Sequence, residues 1–407
     1  MSASHQHPHL ERLDNPGPLH APRATMWSLL FIAAGLISFL AMLGFSERPE
    51  RPWAALLQGL MIPTWISLGA MFFIAVHSLG NAHWTVPIRR VMEGLAGGIP
   101  LGFAGFIVLA LCGLPYLYEW ASAGDRSHLF HAHDGQKSEW MTSSRFIATT
   151  GVIFAIWWWF QFTFRRLSIL QDGRADISVR HVRWSVVFLL VFALTFTLFV
   201  WDLLLSLQLH FVSAMWGIYC IVGAVQMFLA VLALSLVVLG RGPLKDVVRP
   251  HILHDLGTWT VAWACIWAYI AYAQYVIVYY ANMNEESYFY LMRTQHGYGA
   301  YYAIESVLRF PIPFLALLSF RWRTDPRVIV AVAVCVLLGG WFDLSWIIMP
   351  AIYPNETHYV WALPELMVGA GFSAGLVLMA MRFWKRHGLI PQGDPRLLSS
   401  INAEHMH

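Results

Sequence analysis

The sequence predicts an all-α membrane protein with ten transmembrane helices and both termini on the cytoplasmic side. Three observations carry that expectation. Only 12% of the 407 residues are Asp, Glu, Lys or Arg, and 58% are hydrophobic, whereas a soluble domain has roughly 25% charged residues. Apolar runs of about 20 residues, the length needed for a hydrocarbon core ~30 Å thick, follow one another along the chain. Lys and Arg gather in alternate connections, as the cytoplasmic bias of positive charge requires. A soluble domain is excluded, and the net charge of +3 needs no nucleic acid to explain it.

The elements follow in order. Residues 1–25 are polar, include His5, His7, His9 and His20, and read as a disordered cytoplasmic tail. They do not read as a signal peptide, because the first apolar run is a full span without a small-residue cleavage site. The spans are expected near 26–45, 53–79, 91–118, 144–164, 184–206, 211–239, 257–281, 299–320, 328–349 and 363–384, so that 26–385 is one transmembrane domain and 386–407 a second cytoplasmic tail. With the N-terminus inside, 19 of the 26 Lys and Arg residues fall on the cytoplasmic side. Six fall outside or at outer helix ends (Arg48, Arg51, Arg126, Lys137, Arg145 and Arg293), and Arg309 alone falls within a span. Trp120, Trp140, Trp201 and Trp361 at outer ends, and Trp84, Trp184, Trp322 and Trp384 at inner ends, fit rings anchored at headgroup level.

Ionisable groups inside spans are costly and need a reason to be there. From the helical rise, Glu305 lies roughly 9 Å below the outer boundary, Arg309 roughly 15 Å, Asp343 about 9 Å and Gln274 about 10 Å. Asp202 and His210 flank the connection between spans five and six. Four helices thus bring Asp202, Gln274, Glu305 and Asp343 to one depth in the outer third. A sparser inner set holds His77, Glu93, His254 and Asp255, with Gln226 and Arg309 between the layers. Carboxylates, histidines and tyrosines with trapped water can relay protons. Asp202, Glu305, Arg309, Asp343, His77, Glu93 and Asp255 are therefore the proton-transfer candidates, as two half-pathways meeting at Arg309. Prolines 63, 100, 311 and 313 offer backbone carbonyls freed for water.

Plainer roles compete. Glu305 and Arg309 have the i,i+4 spacing of a structural ion pair. Asp202 and Asp343 are placed to cap helix ends or bond backbone amides. His77 suits packing, and Glu93 and Asp255 suit the inner headgroup layer, at helix N-termini. Gln226 and Gln274 suit interhelical hydrogen bonds.

The four cysteines, Cys112, Cys220, Cys265 and Cys335, lie far apart in apolar runs, with no haem-attachment or iron–sulfur spacing. Histidines lie mostly in loops or at span ends, which argues against haem ligated between spans. The loop at 119–143 carries H-x-x-H-x-H at His128, His131 and His133; contact with a partner protein explains it better than a metal, and no metal site is expected. A quinone head group needs an aromatic slot with one or two polar groups. Asp202 with His131 or His210 is the candidate set for it.

The segments WDLLLSLQLHFVSAMWGIY (201–219), HDLGTWTVAWACIWAYIAYAQY (254–275), YANMNEESYFYLMR (280–293) and GGWFDLSWIIMP (339–350) resemble the NrfD-type membrane subunits of alternative complex III. That complex is a bacterial quinol:cytochrome c oxidoreductase. The resemblance covers nearly all of residues 26–385 and is to the shorter of the complex's two such subunits. It implies two four-helix bundles, spans two to five and six to nine, with two outer helices. It also implies location in the bacterial cytoplasmic membrane and no covalently bound cofactor, with quinone or menaquinone as the small molecule to be expected. The implied partners are the larger homologous subunit, multihaem cytochrome c subunits, an iron–sulfur protein and, further along the chain of electron transfer, a terminal oxidase. Two other classes stay open. One is a structural anchor for redox subunits. The other is a secondary transporter with an internal repeat, although no Gly/Pro-broken span recurs in corresponding positions.

Overall fold

A computed structural model describes residues 19, 21–122, 139–173, 178–295 and 297–402. The described residues are helical throughout, with no strand. Nine helices among them are long and apolar enough to cross a membrane. They are α1 (Pro22–Phe45), α2 (Arg51–Leu79), α3 (Arg89–Leu117), α4 (Ser143–Gln171), α5 (Ser178–Leu203), α6 (Trp216–Gly240), α7 (Pro250–Ala281), α11 (Pro326–Ile352) and α12 (Leu363–His387). Between α7 and α11 lie four shorter helices: α8 (Asn284–Gln295), α9 (Tyr298–Arg309), α10 (Pro311–Ala316) and a single turn at Phe320–Arg323.

The run expected as one span over 299–320 is therefore discontinuous, and the sequence explains why. Pro311 and Pro313 lack the N–H groups that would bond back to Val307 and Arg309, and their rings clash with the preceding turn. Phe310, at φ −123° and ψ −71°, absorbs the break between α9 and α10. The Arg309 carbonyl that Pro313 leaves open accepts from Gln226 Nε2 at 2.7 Å. Irregular backbone at membrane depth is tolerated only where protein or water satisfies it in this way. α3 also departs from regular α-helix, with a 3₁₀ turn at Ala96–Gly98 and a π turn at Leu109–Gly113.

α2 lies at the centre. It packs against α3, α5, α6, α11 and α12, and nearly all of it is buried. Its crossing with α6 is close because Gly69 has no side chain; a Cβ there would sit 2.7 Å from the Ala224 carbonyl. α3 also touches α4, and α4 touches α5. On the other side, α6 packs on α7 and α11, while α7 and α11 both contact the α9–α10 pair. α1 packs chiefly on α12, with Gly35 against Gly371 at the crossing. Small residues at such crossings let the backbones approach, which is the main source of helix association in lipid. The remaining face of α1 presents Leu29, Leu36, Ile37 and Leu40 outward.

The expected tail after 385 is packed against the helix ends in its described part. Leu389, Ile390, Leu397 and Ile401 are buried, and Ser400 Oγ donates to the His83 carbonyl at 2.6 Å.

Candidate functional site

The strongest concentration of buried polar groups lies between α6, α9 and α11, at the break that ends α9. Glu305, Arg309 and Asp343 are each 0% exposed. Because α9 stops at Arg309, the guanidinium is free to leave its own helix axis. Its Nη1 pairs with Asp343 Oδ2, Nε donates to Gln226 Oε1 at 2.7 Å, and Nη2 donates to the Gly223 carbonyl at 3.3 Å. Trp267 of α7 closes one side, its ring centre 4.7 Å from the guanidinium carbon. Gly339 makes room for the arginine stem; a Cβ there would come within 2.5 Å of Arg309 Cγ.

Tyr219 of α6 ties the two carboxyls together. Its hydroxyl is 2.5 Å from Asp343 Oδ1 and 3.3 Å from Glu305 Oε1. One hydroxyl has one proton for two carboxyls, so whichever carboxyl it does not donate to must itself be the donor or stay unbonded. Glu305 Oε2 has no hydrogen-bond partner. The cluster thus holds two carboxyls and one guanidinium at 0% exposure and one phenol at 3%.

The expected i,i+4 ion pair between Glu305 and Arg309 is not what forms. The arginine pairs across the interface with Asp343 instead. Glu305 and Asp343 meet here, whereas Asp202 and Gln274, expected at the same depth, have partners of their own. Asp202 accepts both nitrogens of Arg145 at 2.9 Å, a bidentate pair between α5 and α4. Gln274 accepts from Ser213 Oγ at 2.5 Å. Neither Asp202 nor Asp343 acts as an N-terminal cap.

Of the quinone set expected from the sequence, two members lie among the described residues. Asp202 is occupied by Arg145, His210 is exposed, and His131 lies outside the described residues, as do His128 and His133. An aromatic cavity of 370 Å³ opens instead beside the cluster, between α7 and the α9–α10 break, with Trp267, Tyr272, Tyr275, Tyr302 and Phe310 in its wall.

The inner candidates are dispersed. His77 bonds the Phe73 carbonyl through Nδ1 at 2.9 Å and is walled in by Phe73, Trp84 and Trp259; its Nε2 has no partner. Glu93 is 1% exposed and lies 3.4 Å from Arg89 and 3.5 Å from Arg90. Asp255, partly exposed, lies 3.3 Å from His254.

Sequence reasoning missed several polar side chains. Tyr219 looked like one more aromatic of an apolar run. Arg145 and Arg293, assigned to outer helix ends, are a buried carboxylate's partner and a buried carbonyl cap. Arg165, assigned to a cytoplasmic connection, bonds the Glu93 carbonyl through Nε at 3.0 Å and Nη2 at 2.7 Å.

Outside the spans, Asp394 fastens the C-terminal segment. It pairs with Arg89 at 3.1 Å and Arg396 at 3.0 Å. Burial works to raise its pKa, but the hydrogen bonds from Arg396 and the charge of Arg89 outweigh it and hold the carboxyl below its usual value of 3.8. A depressed folded pKa means stability that is fully present above the unfolded value and lost as pH falls through the folded one. Asp394→Asn is therefore expected to lower the unfolding temperature at pH 6. The gap to the native protein should start to close only below about pH 4. A gap unchanged down to acid unfolding would contradict this pairing.

No protein-family model matches this sequence, and no curated protein matches it.

Proposed function

We propose that this chain is a membrane subunit of a quinol:cytochrome c oxidoreductase of the alternative complex III type, and that the Tyr219–Glu305–Arg309–Asp343 cluster handles protons in it. The observation that carries the proposal is the charge count at the break. One guanidinium serves two carboxyls at 0% exposure, and Arg309 is already committed to Asp343. Leaving a second carboxylate charged there without a counter-ion would be very costly. Glu305 accordingly carries an exchangeable proton, and Tyr219 links it to Asp343. Discontinuous helices with irregular backbone near mid-membrane are the usual setting for such sites.

In this reading the chain passes ten times through the bacterial cytoplasmic membrane, counting α9 and α10 as one broken span, with both termini inside. The closed contact circuits α2–α3–α4–α5 and α6–α7–α9/α10–α11 support two four-helix bundles with α1 and α12 outside them. The partners are a larger homologous subunit, multihaem cytochrome c and an iron–sulfur protein. A quinone ring, if this subunit takes one, fits the aromatic cavity at Trp267 and Tyr302 better than the neighbourhood of Asp202. Azido-quinone labelling that maps to α7 and α9 supports that placement.

The test is Glu305→Gln in the complex purified from native membranes and reconstituted in proteoliposomes. The isostere keeps the fold, and pH-coupled turnover is expected to drop at least about tenfold, the lower end of what proton-transfer groups contribute. Unchanged coupled turnover would remove the proton role. Purified material without c-type haem absorbance or iron–sulfur signals would remove the complex.

A second reading, a structural anchor, is favoured by the completeness of the Arg309–Asp343 pair, which needs no chemistry to explain it. Paired neutral replacement separates the two.

A further inference from the structure

A cavity of 580 Å³ lies at the ends of α3, α4 and α12, away from the Glu305 cluster. Arg165, Arg166, Arg382 and Arg386 line it, and no acidic residue does. Arg165 is held in place by the Glu93 and Gly94 carbonyls and stacks on Phe383, its guanidinium carbon 4.3 Å from the ring centre. Arg166, Arg382 and Arg386 are exposed and make no hydrogen bond or ion pair to any described residue. Three unpaired arginines beside a fourth, fixed one concentrate positive potential on this wall and attract an anion to it.

A second polar side chain lines the same space. Gln161 is 4% exposed and belongs to the cavity wall. Its amide carries an NH₂, a donor for a phosphate or ester oxygen.

Apart from His387, the rest of the wall is apolar, and it continues out of the cavity along α4. Trp158, Phe162 and Arg166 are spaced i, i+4, i+8 and share one helix face; Trp158 is 47% exposed and Phe162 59%. This stripe sets an apolar track immediately beside the cationic cup. A soluble anion would use the cup and leave the track bare, whereas a two-part ligand covers both.

We propose that this cavity binds an anionic phospholipid, with its headgroup phosphate among Arg166, Arg382 and Arg386 and an acyl chain along Phe162 and Trp158. Basic pockets between transmembrane helices suit such headgroups. The proposal is independent of the proton role assigned above.

The experiment is native mass spectrometry of the full-length chain, with whatever subunits accompany it, delipidated and titrated with dioleoylphosphatidylglycerol. The arginines to change are the three unpaired ones, as Arg166→Gln, Arg382→Gln and Arg386→Gln together; Arg165 stays because it caps backbone carbonyls. Each arginine near a phosphate contributes about a fivefold preference, so the triple variant is expected to bind the lipid at least about tenfold more weakly. Dioleoylphosphatidylcholine should bind the native chain no better than the variant. Equal binding of phosphatidylglycerol by native and triple variant overturns the proposal, and so does equal binding of the two lipids. Displacement of the lipid by equimolar inorganic phosphate would show a site for free anions and also overturn it. If the triple variant fails to fold, Arg386→Gln and Arg386→Lys are compared. The lysine variant should retain most of the binding that the glutamine variant loses, and no difference between them counts against the proposal.

Discussion

Asp343→Leu alone is expected to cost about 3–5 kcal/mol of stability, the range for breaking a buried ion pair by removing one partner. The Arg309 guanidinium would be left charged at 0% exposure, with only Gln226 and the Gly223 carbonyl as acceptors. Arg309→Met added to Asp343→Leu is expected to recover most of that loss, because well-packed apolar residues often replace a buried pair at little net cost. Recovery stays incomplete, since Gln226 Oε1 loses its donor. Unfolding temperatures in one detergent read both effects. The same double variant decides between the two functional readings. If the pair is only structural, the refolded double variant keeps its coupled turnover in the complex. If Asp343 takes a proton from Glu305 through Tyr219 while Arg309 holds its charge, the protein folds and turnover is lost. Glu305→Gln is the contrasting case. Its hydrogen bond to Tyr219 is 3.3 Å long, so its stability change should stay within about 1 kcal/mol.

Much of this architecture is legible in the sequence because it follows from length and solubility. Apolar runs of span length become membrane-length helices, and Pro311 and Pro313 mark the break, although the sequence was read there as one continuous span. The site is less legible, for a geometric reason. Counting residues along a helix gives depth but not azimuth. Asp202 and Gln274 were placed level with Glu305, yet Asp202 turns toward Arg145 on α4 and Gln274 toward Ser213. Local spacing misleads in a related way. The i,i+4 rule holds for a continuous helix surface, but α9 ends at Arg309, and a carboxylate on α11 competes successfully for the guanidinium. Tyr219 carries no signal in an apolar run already rich in aromatics; only the two carboxyls it touches give it a role. Arg293 was counted as an outer charge because nothing in YFYLMR says that α8 turns it inward.

That arginine leads to the second large effect. Arg293 is 1% exposed and pairs with no carboxylate among the described residues. It donates instead to neutral oxygens: Nε to the Trp346 carbonyl at 3.0 Å, Nη1 to the Phe289 carbonyl at 2.9 Å and to Gln208 Oε1 at 3.2 Å, and Nη2 to the Ile347 carbonyl at 3.2 Å. The Phe289 ring, its centre 3.5 Å from the guanidinium carbon, offsets part of the charge. The need for such a donor arises in the sequence of α11. Pro350 lies four residues after Trp346 and has no N–H, so the Trp346 carbonyl is orphaned within its own helix. Arg293→Met should therefore cost about 3 kcal/mol or more, since each buried group left unsatisfied costs about 1–3 kcal/mol. Pro350→Ala restores an N–H opposite Trp346. In the native background that change should do little, because the carbonyl already has a donor. In the Arg293→Met background it should return about 1 kcal/mol, the net value of one hydrogen bond. The two substitutions are thus expected to be less than additive, and additive unfolding temperatures across the cycle would show that Arg293 is retained for something other than the carbonyl that Pro350 leaves open.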